Sequence, residues 1–155
     1  PCKHGLESTI VEIVARGKVR LLRPGPIGME ELAAVAGMEV QDSPPADESA
    51  PRAPGMLKSH YRPKKGLTLF AEGERPEAEN AAMVFLHRPQ NPRKNDYWLS
   101  ETGNLEEVAH NLFDLMRRLD ENSDCGKIQI EKPAAETGLA RAIRDRLQRA
   151  ATPPE

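Results

Sequence analysis

Aromatic side chains are scarce in this 155-residue chain, at 4% of its residues, so the hydrophobic core has to be built from aliphatic side chains. The two cysteines, Cys2 and Cys125, are too few for a disulfide scaffold, and free thiols are typical of a reducing cytoplasm. No apolar run is long enough to cross a membrane, and no secretory signal is visible. We therefore expect a cytoplasmic protein without a membrane partner.

Neither sign of charge dominates the chain. It has 22 basic and 24 acidic residues and a net charge of −2, which gives no general attraction to nucleic acid.

Neither a GxGxxG fingerprint nor a Walker loop is present. Cys2 and His4 are too close together and too isolated to bind zinc, and no grouping of Ser, His and Asp has a nucleophile signature. We therefore assign no metal ligand and no catalytic side chain within this sequence.

The chain opens with two short runs of mostly β-branched and aliphatic residues, 10–14 and 19–22. The triplet Arg16-Gly17-Lys18 between them is typical of a turn, and Pro24-Gly25 makes the chain turn again after the second run. This pattern predicts a β-hairpin.

Three polar side chains lie at the open end of that hairpin. Ser8 and Thr9 precede the first run, and Arg23 ends the second. Pairing of the runs would bring two hydroxyls and one guanidinium to one pocket, where they suit a phosphate or carboxylate ligand. The alternative is that the hydroxyls are ordinary strand residues and that the arginine is solvated.

A change in composition divides the rest of the chain. A short helix that ends at Gly37 is predicted by apolar residues at helical spacing, namely Met29, Leu32, Ala33 and Ala36. Five prolines then interrupt residues 41–66, where apolar periodicity is almost absent. We therefore divide the chain into an N-terminal unit (1–40), a proline-rich linker (41–66) and a C-terminal α/β domain (67–151).

The C-terminal domain alternates strands with helices. Strands are predicted at 67–70, 83–86, 97–99 and 128–130, with prolines in the connections between the first three. One helix begins after Asn104, an N-cap residue that forms a capping-box pattern with Glu107, and a second runs from Leu139 to Ala150. The order predicts a Rossmann-like, mostly parallel sheet with flanking helices.

The last helix has a basic face, formed by Arg141, Arg144, Arg146 and Arg149. We interpret it as a solvated surface that is tempered by Asp145. RNA contact through the same face is the alternative, and a salt-dependent affinity would test it.

Three motifs in order, "GLESTIVE", "LLRPG" and "APGMLKSHYRP", closely resemble the C-terminal part of the YrdC-type threonylcarbamoyl-AMP synthases, which are two-domain enzymes of tRNA modification. The likeness covers essentially the whole chain. It implies that residues 1–40 end an α/β catalytic domain whose larger part lies upstream, so this fragment alone should be inactive.

The resemblance also implies a function. Such an enzyme joins L-threonine, bicarbonate and ATP into threonylcarbamoyl-AMP and releases pyrophosphate, with Mg²⁺ accompanying ATP. Its product supplies the proteins that transfer threonylcarbamoyl to adenosine 37 of tRNA. By the same resemblance, Ser8 and Thr9 contact threonine and the nucleotide, Arg23 contacts phosphate, and His60 with Tyr61 forms a lid over the nucleotide.

Two other classes of function stay open from the sequence. One is a non-catalytic regulatory or interaction module whose proline-rich arm docks on a partner domain. The other is an RNA-binding accessory module, because relatives of the catalytic domain are associated with double-stranded RNA or tRNA. The net charge of −2 argues against the second.

Overall fold

The computed structural model describes residues 5–37, 39–43, 54 and 61–152, which form two β-sheets and three helices. In chain order the elements are β1 (Ile10–Ala15), β2 (Lys18–Arg23), α1 (Met29–Ala36), β3 (Glu39–Asp42), β4 (Gly66–Ala71), β5 (Ala81–His87), β6 (Asp96–Ser100), α2 (Leu105–Glu121), β7 (Lys127–Lys132) and α3 (Gly138–Ala151). None of the helices in these ranges is long and apolar enough to cross a membrane.

The first sheet has the strand order β1-β2-β3. β1 and β2 are antiparallel, which confirms the predicted hairpin, whereas β3 is parallel to β2. The sequence did not predict β3, which crosses the predicted boundary between the N-terminal unit (1–40) and the linker (41–66). Val40 is the one apolar residue of this strand, so the strand depends on its pairing with β2.

The second sheet is wholly parallel, with the strand order β4-β7-β5-β6. This arrangement confirms the predicted α/β class and parallel sheet. β5 is a central strand, and its residues from Ala81 to Leu86 are all buried, as expected where both faces of a sheet are covered. The prolines of the 72–80 and 88–95 connections coincide with loops that contain no helix.

Both long helices pack against the same face of this sheet. α2 and α3 share one apolar core with alternate residues of the strands, among them Val84, Leu99 and Ile128. The opposite face has a smaller cluster around Phe70 and Phe85, whose rings meet edge to face at 5.6 Å.

The start of α2 differs from the predicted capping box. The Asn104 side chain does cap the helix, because it accepts hydrogen bonds from the backbone N–H groups of Glu106 at 2.8 Å and Glu107 at 3.2 Å. The carboxylate of Glu107, however, accepts a hydrogen bond from the Ser100 hydroxyl at 2.7 Å. It therefore ties the end of β6 to α2 instead of closing a reciprocal box with Asn104.

The N-terminal segment before β1 packs directly on the C-terminal domain. Leu6 is fully buried in the core that α2 and α3 share. Gly5 has a φ of +66°, and a Cβ atom placed there would lie 2.3 Å from the Cα of His110 in α2. A glycine is thus required where this segment crosses the helix backbone.

Substitution of Gly5 by Ala should destabilise the fold through both strain and overlap. Gly17 is a matched control, because its φ is +78° but nothing lies within 4 Å of its Cβ position. We expect Gly17→Ala to cost about 1–2 kcal/mol for the left-handed backbone. Gly5→Ala should cost at least about 1 kcal/mol more, because α2 must shift. Urea unfolding measures both, and equal costs would contradict the close packing of Gly5 on α2.

Candidate functional site

Arg23 and Ser8 are brought together at the open end of the hairpin. Arg23 ends β2, and its Cα partner across the ladder is Ile10, so the residues just before β1 lie beside it. The guanidinium donates from Nε to the Ser8 carbonyl at 3.1 Å and from Nη2 to the Ser8 hydroxyl at 3.3 Å. Arg23 is only 7% exposed, so the solvated role that the sequence left open for it is wrong.

The same guanidinium also reaches the linker. Its Nη1 donates to the carbonyl of Pro54 at 3.0 Å. Because an arginine side chain presents its donors in a rigid planar fork, bonds to Ser8 and Pro54 fix the plane of the charge. Arg23 therefore places one oriented positive charge against the Ser8 segment.

Thr9 is next to Ser8, but its hydroxyl has a different task. It donates to the carbonyl of Ile27 at 2.8 Å and accepts from the N–H of Ile27 at 3.1 Å. The backbone of the Pro-Gly turn packs closely against Thr9, because a Cβ atom at Gly25 would lie only 2.3 Å from the Thr9 nitrogen. Thr9 therefore closes the turn that follows Arg23, while Ser8 is the hydroxyl that contacts the guanidinium.

Tyr61 is the described member of the predicted lid pair, and His60 lies outside the described residues. The Tyr61 phenol donates a hydrogen bond to the Glu7 carboxylate. Its ring stacks on Phe113 of α2, with the centroids 4.8 Å apart and the planes at 27°. Tyr61 has a φ of +71°, an uncommon conformation for a bulky residue, and these contacts hold it there.

Glu7 also accepts a hydrogen bond from Arg146, which lies in α3. The Nε atom of Arg146 is 3.0 Å from the Glu7 carboxylate, and Nη2 donates to the Pro24 carbonyl at 3.0 Å. Nη1 bonds to Asp145, and the guanidinium carbon lies 5.7 Å from the centroid of the Tyr61 ring. The Arg146 side chain has no solvent exposure.

This placement corrects the interpretation of the last helix as a solvated basic face. Arg146 is buried, and the other three arginines also form ion pairs with acids, namely Arg141 with Asp42, Arg144 with Glu136 and Arg149 with Asp145. A buried guanidinium needs such partners, because an uncompensated charge in the interior is costly. Pairing of all four arginines with acids neutralises the face that would attract RNA.

A cavity of about 730 Å³ lies between the N-terminal segment, Tyr61 and α2. Its volume is within the range of small-molecule sites. Ser8 and Tyr61 both line it, whereas Thr9 and Arg23 are not among its lining residues. The remaining lining residues are Gly5, Leu6, Glu7, Arg62, Pro63, Phe113, Met116, Arg117 and Asp120.

The Glu7–Tyr61 contact shifts the pKa values of both groups. Burial alone would raise the pKa of Glu7, but hydrogen bonds from the Tyr61 phenol, the backbone and Arg146 outweigh burial and lower that pKa below its usual value. Burial, and then the hydrogen bond and charge of Glu7, raise the pKa of Tyr61 to about 12. At neutral pH the carboxylate is therefore ionised and the phenol keeps its proton.

Two residues of this site, Glu7 and Arg146, were missed by the sequence analysis. Periodicity contained a signal for Arg146, because it is seven positions after Leu139 and three after Ile143 and so shares their buried face. Glu7 has no such signal, since its role depends on contacts with Tyr61 and α3 that are distant in sequence.

Among the described residues, no group of three or more His, Cys, Asp or Glu side chains is placed to hold a metal ion. We therefore assign none of the described residues to Mg²⁺.

The Tyr61 phenol should titrate near pH 12 instead of near its usual pH of 10, because burial raises its pKa and the hydrogen bond to Glu7 and the negative charge of Glu7 raise it further. The chain has two tyrosines, Tyr61 and Tyr97, so ¹³Cζ-tyrosine NMR across pH 8–13 gives two signals. Tyr61→Phe assigns them. Since the folded pKa is raised, this contact should lose its stabilising contribution as the pH rises from 10 towards 12. A Tyr61 midpoint near 10 would contradict the contact.

This chain is similar to known proteins of one family. The model of the family "Threonylcarbamoyl-AMP synthase, C-terminal domain" (Sua5_C) matches residues 27–152. Similar curated proteins include the threonylcarbamoyl-AMP synthases of Pyrococcus abyssi, at 27% identity over 94% of this chain, and of Bacillus subtilis, at 32% identity over 97%. The chain spans a little under half of these relatives, 46% of the length of each.

Solved structures agree with this relationship. The crystal structure of P. abyssi Sua5 complexed with L-threonine is similar, with a TM-score of 0.75 and 27% identity over 96% of this chain and 46% of that one. A P. abyssi Sua5 variant in which an adjacent His–Tyr pair is replaced by alanine gives a TM-score of 0.73. These matches confirm the resemblance inferred from the three motifs. The chain belongs to the threonylcarbamoyl-AMP synthase C-terminal domain family, and it corresponds to the C-terminal part of a Sua5/YrdC-type protein.

Proposed function

We propose that this chain is the C-terminal part of an L-threonylcarbamoyladenylate synthase, a nucleotidyltransferase that uses L-threonine, bicarbonate and ATP. The observation that carries the proposal is the bond of the buried Arg23 guanidinium to Ser8, which brings the "GLEST" and "RPG" motifs together as one structural unit. The product, threonylcarbamoyl-AMP, would serve the proteins that modify adenosine 37 of tRNA in the cytoplasm. The threonine-bound relative supports threonine as a substrate.

The reaction brings negatively charged groups close together. The threonine amine and bicarbonate condense to a carbamate with loss of water. A carbamate oxygen then attacks the α-phosphorus of ATP, and the bond to the β-phosphate oxygen breaks to release pyrophosphate. Both the carbamate and the phosphates are negatively charged, so a fixed positive charge and oriented hydroxyl donors favour their approach.

In this proposal each candidate residue has a defined task. Ser8 lines the cavity and contacts threonine and the nucleotide, together with the adjacent Thr9, whose hydroxyl holds the turn at Ile27. Arg23 contributes charge to the phosphate and orients the Ser8 hydroxyl that it binds.

Tyr61 and His60 form the proposed lid over the nucleotide. Tyr61 lines the cavity, where its contacts with Glu7 and Phe113 fix it. Closure would exclude water from the mixed anhydride product, which hydrolyses readily.

We also propose the division of the chain into the end of a catalytic domain (1–40), a linker and lid (41–66) and a C-terminal domain (67–151). Exposed apolar side chains support it, because Ile13 in β1 is 74% exposed and Val35 in α1 is 85% exposed. In the full-length protein these residues would be covered by the rest of the catalytic domain.

Loss of the Arg23 guanidinium should lower pyrophosphate release by the full-length protein. We expect Arg23→Ala to reduce kcat/KM at least about tenfold, the effect of losing roughly 1.4 kcal/mol from one charged contact. Arg20→Ala is the matched control on the same strand, since Arg20 forms a partly exposed ion pair with Glu12 and should change the rate less than about twofold.

The assay measures pyrophosphate with and without threonine and bicarbonate. If the wild-type protein releases none, or releases it without either co-substrate, the proposed synthase activity is wrong. If the Arg20 and Arg23 variants lose equal activity, the assignment of Arg23 to the site is wrong.

A further inference from the structure

Arg146 is a fully buried charged residue to which the proposed reaction gives no task. It lies in α3, far along the chain from the hairpin, yet its guanidinium bonds to Glu7 and to the Pro24 carbonyl, each at 3.0 Å. Its third partner is its neighbour Asp145. One side chain of the C-terminal domain thus holds two separate segments of the N-terminal unit.

The two segments held by Arg146 are those that carry the candidate substrate residues. Glu7 directly precedes Ser8, and Pro24 directly follows Arg23. Ser8 and Arg23 are in turn bonded to each other. A shift of the Arg146 guanidinium would therefore move both sides of the Ser8–Arg23 contact together.

Arg146 also acts on the lid residue through Glu7. The Glu7 carboxylate accepts hydrogen bonds from both the Tyr61 phenol and the Arg146 guanidinium. Without the guanidinium, the half-buried Glu7 would lose a charge-assisted hydrogen bond and would be drawn towards solvent. The Tyr61 phenol would then lose a fixed acceptor.

We propose that Arg146 is a positioning residue, which fixes the Ser8–Arg23 contact and the Tyr61 phenol by holding Glu7 and Pro24 to helix α3. The consequence for catalysis rests on the proposed synthase function, whereas the positioning itself does not. The C-terminal domain is accordingly part of the support of the substrate site and not a separate attachment.

Arg144 is a matched control for this role. It lies on the same helix two positions earlier, and its recorded hydrogen bonds go to Pro133, Ala134 and Glu136 in the loop between β7 and α3. Lysine at either position keeps the charge but loses the planar fork. A general weakening of α3 should affect both variants, whereas loss of positioning should follow Arg146 alone.

Hydrogen exchange in the full-length protein tests the positioning directly. In Arg146→Lys, we expect the amides of residues 7–9 and 21–23 to exchange at least about fivefold faster, and in Arg144→Lys to change less than about twofold. If Arg146→Lys does not fold, Glu7→Gln combined with Arg146→Met removes both charges and should still show faster exchange at 21–23. Unchanged exchange in both segments, or equal changes in the two lysine variants, overturns the proposal.

Steady-state kinetics test the consequence for the reaction. Arg146→Lys should lower kcat/KM for L-threonine by about tenfold, and Arg144→Lys by less than about twofold. If the wild-type protein is inactive, the synthase proposal fails while the exchange data still decide the positioning. If Arg146→Lys alters exchange but leaves kcat/KM at the wild-type value, the link from positioning to catalysis is overturned.

Discussion

The ion pair between the buried Arg146 and the half-buried Glu7 is the interaction on which the arrangement of this protein depends. A guanidinium without solvent exposure has to be matched by nearby acceptors, and these come from Glu7, Asp145 and the Pro24 carbonyl. These partners belong to different segments. Arg146 therefore fixes the N-terminal segment and the turn after β2 in position against helix α3. Hydrophobic packing reinforces this constraint, since Leu6 is buried in the same core as α2 and α3.

The candidate site follows from that constraint. Arg146 holds Glu7 and Pro24, so that the Arg23 guanidinium contacts Ser8 at the end of the hairpin. The Tyr61 phenol then donates its hydrogen bond to Glu7 beside the cavity. The motifs that carry the family resemblance are the ones that this network joins. The two sheets are therefore best understood as one functional assembly in which the parallel sheet and its helices support the hairpin.

Much of the fold could be predicted from the sequence, because its signals are local. Helical spacing indicated α1, α2 and α3, and short apolar runs bounded by prolines indicated the strands of the parallel sheet. β3 could not be predicted, since a strand with Val40 as its one apolar residue depends on its neighbour. The motifs indicated Ser8, Arg23 and Tyr61 as candidates, but the contacts among Glu7, Tyr61 and Arg146 join positions up to 139 residues apart. The interpretation of Arg146 as solvated was wrong, because its position on the apolar stripe of α3 buries it although it is charged.

A double-mutant cycle between Glu7 and Arg146 tests the central claim most directly. The free energy of unfolding of the full-length protein would be measured for wild type, Glu7→Gln, Arg146→Met and the double variant at pH 7, where the lowered pKa keeps Glu7 ionised. Residues in direct contact typically show coupling of about 0.5–3 kcal/mol, so we predict at least about 1 kcal/mol, with the double variant less destabilised than the sum of the singles. Additive effects would contradict the account, because the N-terminal segment and α3 would then be held together by something other than this ion pair.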